Sequence, residues 1–255
     1  MIRKELHIFF AALVFYTKIR APKSIILTQE HFPASARYFP LMGWIVGGLS
    51  ALLYWGCCLV LPHAVSILIS MLLSILITGG LHEDGLADTC DGFGGGWSKE
   101  KIVSIMKDSA TGVFGVIGIV MLLLLKYSVL SESVPEQLPF LLIAAHSLSR
   151  FIAISFMYTH TYARTDDTSK SKSVAKQMSG SDLFIALITG LAPLLLFNNV
   201  LVLLVMIPLL LTKWLLGRYF NKWIGGYTGD CLGATQQISE LVFYIVMLIS
   251  PWKYI

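Results

Sequence analysis

Long apolar runs separated by short polar connections make up most of the chain. Residues 38–61, 64–81, 112–131, 138–158, 182–198 and 199–217 form six such runs, and 237–252 a shorter seventh. About 17 to 25 apolar residues cross a hydrocarbon core of ~30 Å as a helix. The pattern therefore predicts an all-α, polytopic integral membrane bundle of about seven transmembrane helices in one domain over 1–255. The first apolar stretch, Leu6 to Thr17, is too short to span upright, and it is expected to lie at the interface or re-enter.

Composition removes the soluble alternative. The chain is 56% hydrophobic and 13% charged, which leaves too little polar surface to coat a water-facing fold. The start, MIRKELHIFFAALVFYTKIRAP, resembles a signal peptide but lacks a small-x-small cleavage site, so it is read as retained. Basic residues cluster in alternate connections: Lys18, Arg20, Lys23 and Arg37; Lys99, Lys101 and Lys107; Arg164, Lys170, Lys172 and Lys176; Lys213, Arg218 and Lys222. The bias of Lys and Arg toward cytoplasmic loops puts all four groups on the cytoplasmic side of a bacterial cytoplasmic (inner) membrane. A net charge of +4 then needs no nucleic acid, because anionic headgroups favour cations there. The polar segment 164–181 reads as a mobile cytoplasmic loop, with a substrate lid as its functional alternative. The four cysteines show no metal or redox spacing. Monomer and homo-oligomer both remain open.

The negative charge is placed unevenly. Glu83, Asp84, Asp88, Asp91, Glu100 and Asp108 are six of only fifteen acids, and they come directly after the run 64–81. If that helix continues, Asp84, Asp88 and Asp91 (i, i+4, i+7) share one face. Neighbouring carboxylates at such spacing repel by about 3 kcal/mol at an effective dielectric near 20. Protonation or a cation must relieve this, and hard oxygen donors without His or Cys favour Mg²⁺, with Mn²⁺ or Ca²⁺ as substitutes. A solvated acidic face is the bland alternative. Lys107, Asp108 and Ser109 stand just before the run at 112, where a helix start offers a cation, a carboxylate and free N–H groups to phosphate. Ser109 is also a plain N-cap candidate.

Ionisable residues inside a span mark function by default. Arg150 lies well inside 138–158, with His146 one turn earlier. Arg150 serves either substrate phosphate and the carboxylates or a structural ion pair, and His146 reads as a packing residue. Asp230 and Glu240, the latter near the start of the last span, line a substrate cavity or serve as cap and structural pair. A divalent-cation or small-molecule transporter is the rival function, since acids also line ion pathways. It expects acids within the runs, whereas these begin where a run ends.

His82-Glu83-Asp84-Gly85-Leu86-Ala87-Asp88-Thr89-Cys90-Asp91-Gly92, then Met106-Lys107-Asp108-Ser109, resembles the signature of the cobalamin synthase family. FYTKIRAP, RYFPLMGWIVG and GGYTGDCLGATQQISE are similar to further segments of that family, so the likeness runs along the whole chain. Asp88-x-x-Asp91-Gly92 is more loosely similar to the CDP-alcohol phosphotransferases. The resemblance implies a transferase that joins adenosylcobinamide-GDP to α-ribazole or its 5′-phosphate, releasing GMP. It implies Mg²⁺ on Asp84, Asp88, Asp91 and Asp108, one of which accepts the hydroxyl proton, and substrate contacts from His82, Glu83, Lys107, Ser109, Arg150, Asp230 and Glu240. The chain departs from many relatives at Ala110, where they carry an arginine, so Lys107 or another cation must meet the phosphate.

Overall fold

The computed structural model describes residues 2–163 and 177–249. Segment 164–176, which holds most of the expected loop or lid, lies outside them. Twelve helices account for most of the described residues: α1 Ile2–Tyr16, α2 Phe32–Ser35, α3 Phe39–Cys57, α4 His63–Thr78, α5 Leu81–Gly95, α6 Lys99–Ile105, α7 Val113–Ser131, α8 Leu138–Ile154, α9 Phe156–Thr159, α10 Gly180–Leu191, α11 Met206–Ile224 and α12 Gly229–Ile249. Short 3₁₀ turns extend several of them, including Ala192–Phe197 after α10 and Val200–Val205 before α11. Among the described residues no strand forms, and one isolated bridge joins Tyr162 to Tyr227. Six helical stretches are long and apolar enough to cross a membrane, and the bent pair α4–α5 makes a seventh. The protein is an all-α, multi-pass membrane bundle.

Burial sorts the bundle into centre and rim. Of the most apolar window of the α8–α9 span 89% is buried, and of α12 61%, against 22% for α7 and for the spans containing α10 and α11. The rim helices turn Val113, Ile117, Leu124, Ile207, Leu211 and Trp214 outward. An apolar surface this continuous suits lipid rather than water. Local chemistry starts and stops the helices. Pro40 and Pro139 occupy first-turn positions of α3 and α8, where the missing N–H costs nothing. Ser98 and Ser179 cap α6 and α10 through their hydroxyls. Arg37 ties the N-terminal region to α10, reaching Glu5 at 2.7 Å and Asp182 at 2.9 Å. At 15 residues, α1 is only ~22 Å long, and it is absent from the helices able to cross.

Two boundaries differ from those the pattern predicts. The helix over 64–81 does not continue into the acids. It ends at Thr78, and α5 leaves at 87°. Gly79 and Gly80 hold φ of 67° and 72°, a left-handed pair that L side chains resist and glycine accepts. The last span starts at Gly229 rather than 237, so Glu240 sits in mid-helix. Lys126, a lone charge within the run 112–131, is 5% exposed inside α7.

Candidate active site

The bend between α4 and α5 organises the polar residues. The amide of Lys18 donates to Ile77 O at 2.7 Å, pinning the chain after α1 against the end of α4. Thr17 secures the same segment by donating to Leu13 O at 2.6 Å. The α5 axis then begins with Glu83 and Asp84 in its first turn, where the helix dipole favours negative charge. A cavity of about 540 Å³ opens at the bend, lined among others by Thr17, Lys18, Thr78, Asp84 and Thr111. That volume falls in the ordinary range for small-molecule sites, ~300–1,000 Å³.

The expected site residues divide into three groups. Asp84 is exposed to the cavity, and Asp88, half-buried, lies one turn along the same side of α5. Asp230, in the first turn of α12, is close by: its backbone packs on Gly85, and its carboxylate accepts from Thr228 at 3.3 Å. Lys107, Asp108 and Ser109 are exposed in the turn before α7, where Asp108 accepts from the Ala110 amide at 3.1 Å. Thr111, two residues after Ser109, reaches the cavity.

Asp91 forms the second group. It is 8% exposed, and its two oxygens accept from the amides of Gly112 at 2.7 Å and Gly115 at 2.8 Å. The free N–H groups expected at the start of α7 are therefore engaged by a carboxylate from α5. Gly112 is the N-cap and brings no side-chain bond. Ser109 does not cap this helix. A buried anion at a helix N-terminus satisfies orphan donors and the dipole together. A Cβ at Gly112 would stand 2.6 Å from Asp91 Oδ1, so only glycine lets the two helices approach this closely.

The third group points inward. His82 is buried and stacks on Phe39 at 5.4 Å, and the Arg150 guanidinium lies 5.5 Å from the same ring centroid. Glu83 accepts from Gln237 at 2.9 Å. Glu240 accepts from Lys126 at 2.9 Å and from Gln236 at 2.6 Å, while Lys126 also donates to Gln237 at 2.6 Å. Arg150 donates to His146 O at 2.8 Å and to its Nδ1 at 3.1 Å. Since arginine only donates, that Nδ1 is the acceptor, and its 3.4 Å approach to Glu240 carries no hydrogen bond. Two carboxylates and two cations thus balance in the bundle centre, joining α5, α7, α8 and α12.

Two residues carry more than their sequence context announces. Lys126 lies inside the run 112–131, where the rule for ionisable residues within a span singles it out, although its basic charge also reads as a loop border. Lys18 is legible in the sequence only as topological charge, although it stands in FYTKIRAP, one of the segments that carry the family likeness. Among the described residues, no three of His, Cys, Asp and Glu converge as a metal cage.

Comparison with known proteins supplies the family. Residues 8–248 match the family described as cobalamin-5-phosphate synthase. The adenosylcobinamide-GDP ribazoletransferase of Shewanella frigidimarina is 44% identical over 96% of this chain and 95% of its own length. The proteins of the same name from Shewanella oneidensis and Ralstonia pickettii are 44% and 43% identical, covering 96% and 94% of this chain and 95% and 94% of their own lengths. No solved structure matches the chain. The chain belongs to the cobalamin-5-phosphate synthase family.

Proposed function

We propose that this chain carries out adenosylcobinamide-GDP ribazole transfer at the α4–α5 bend, as the names of its full-length relatives indicate, and that the site faces the cytoplasm across the inner membrane. A hydroxyl oxygen of α-ribazole, or of its 5′-phosphate, attacks the cobinamide-side phosphorus of the diphosphate. The P–O bond to the GMP phosphate breaks, GMP leaves, and the hydroxyl proton passes to a nearby carboxylate or water. The observation that carries the reading is the cavity that Lys18, Asp84 and Thr111 share beside a helix bend. A transporter is not favoured by the family match.

The donor set fits a hard cation held partly by its substrate. Asp84 and Asp88 offer oxygens one turn apart, and Mg²⁺ is commonly held by one or two carboxylates with water and substrate phosphates completing its shell. When bound there, Mg²⁺ neutralises the diphosphate and stabilises the leaving oxygen. Asp230 and Asp108 are the further carboxylates within this end of the bundle. Asp91 acts by holding α7 against α5. Lys18 supplies the cation that Ala110 does not, and its stem packs on Gly79, aiming the ammonium along the cavity wall.

Membranes given adenosylcobinamide-GDP and α-ribazole 5′-phosphate are expected to form a corrinoid product with release of GMP, detected by chromatography. Activity is expected to vanish with EDTA and return with Mg²⁺ or Mn²⁺. Full turnover after exhaustive chelation rejects the metal role. Lys18→Met is expected to lower kcat/KM roughly ten- to a hundredfold, the worth of a charge-assisted hydrogen bond. A value equal to wild type removes Lys18 from the phosphate site.

A further inference from the structure

A second groove lies away from the α4–α5 bend, between α9 with its adjoining turn and the last half of α11. It measures about 580 Å³, and Thr159, His160, Lys213, Trp214, Arg218 and Asn221 line it. The groove stands at the Thr159 end of the span Leu138–Thr159, beside the second half of the span Val200–Ile224, and the polar residues Lys213, Arg218, Asn221 and Lys222 on that half match the chemistry of the headgroup region. Lys213 rests on the Phe156 ring at 5.6 Å and donates weakly to Ser155 O at 3.4 Å. Arg218 is exposed and lies over Trp214 at 5.1 Å. Among the described residues neither cation meets a carboxylate. Two cations in one concave site, with no carboxylate partner among the described residues, favour an anion.

The surface leading into the groove narrows the choice. Ile207, Leu211, Trp214 and Arg218 recur at helical spacing along one side of α11, and the three apolar members are 65%, 53% and 55% exposed. That stripe suits an acyl chain, and it ends at the cations. A soluble phosphate has no use for the stripe, whereas a phospholipid matches both halves. Tryptophan under a guanidinium at this depth suits the amphipathic interface. Gly217 gives the groove its floor: a Cβ there would stand 2.6 Å from His160 Nε2.

We propose that this groove binds the phosphodiester headgroup of an anionic phospholipid through Lys213, Arg218 and His160, with an acyl chain along Ile207, Leu211 and Trp214. The full chain in phosphatidylcholine nanodiscs containing a minor fraction of phosphatidylglycerol tests this by native mass spectrometry of retained lipid. Wild type is expected to retain phosphatidylglycerol preferentially, and Lys213→Gln/Arg218→Gln to lose roughly tenfold or more of that preference, each basic residue near an anionic surface contributing about equally. Arg218→Lys is expected to keep most of it, which separates lost charge from lost folding, and a matched melting curve in pure phosphatidylcholine checks the fold. Lys23→Gln/Lys101→Gln removes the same charge elsewhere. Equal loss in that variant, unchanged retention in the groove variant, or displacement of phosphatidylglycerol by inorganic phosphate each overturns the lipid site.

Discussion

Asp84→Asn is expected to yield a folded, inserted protein whose transfer rate falls at least roughly a hundredfold, since even outer-shell partners of a metal are worth ~10–100-fold. The exchange keeps volume and apolar area, and Asp84 is exposed at the cavity, so little stability is at stake. What disappears is one hard anionic oxygen and half of the charge of the proposed cation site. Asp88→Asn is expected to act alike. Asp91→Asn separates holding from binding. Its amide can accept one of the two N–H groups from Gly112 and Gly115, but its own NH₂ then faces the other donor. A buried donor left without an acceptor costs about 1–3 kcal/mol. Asp91→Asn is therefore expected to lower the melting temperature as well as activity, whereas Asp84→Asn lowers activity alone. Thermal unfolding in detergent beside a GMP-release assay distinguishes them. Wild-type turnover in Asp84→Asn ends the assignment of the cavity as the active site.

The contrast between these three aspartates also shows how far the sequence can be read. Their spacing over one helix face is legible, because i, i+4, i+7 survives wherever the helix points. The direction is not. Gly79 and Gly80 leave the helical spacing of residues 81–95 intact while turning the axis by 87°, and a periodicity argument carries no information about the sign of φ. Nor does spacing along α5 reveal that Asp91 meets a helix start more than twenty residues later, so in the sequence its carboxylate reads as a ligand equal to the others. The spans are legible since apolar length is a local property. The start of α12 is not: Gly229–Glu240 is polar in sequence because it faces the bundle centre and α5, and hydropathy reads such a segment as a loop.

Lys126→Met is the sharper test of that centre, and it is expected to destabilise the protein by about 3–5 kcal/mol, the range for leaving one member of a buried pair uncompensated. Methionine is far cheaper than lysine to bury away from water, so transfer alone predicts stabilisation. The opposite sign comes from Glu240, which keeps the donors Gln236 and Tyr244 but loses the ammonium at 2.9 Å. Gln237 also loses the partner of its oxygen, and through its NH₂ it holds Glu83 on α5, one residue from Asp84. Lys126→Met is thus expected to loosen α5 and depress turnover along with stability. Lys126→Met/Glu240→Gln removes both charges and leaves amide donors and acceptors in place. It is expected to recover most of the stability, by the same reasoning that makes a buried ion pair replaceable as a unit while its halves are not. Chemical unfolding in detergent with the single and double variants measures the coupling. An additive cycle, or a Lys126→Met protein as stable as wild type, means that lysine and glutamate do not meet inside the bundle, and the packing of α7 on α12 that aligns α5 is then wrong.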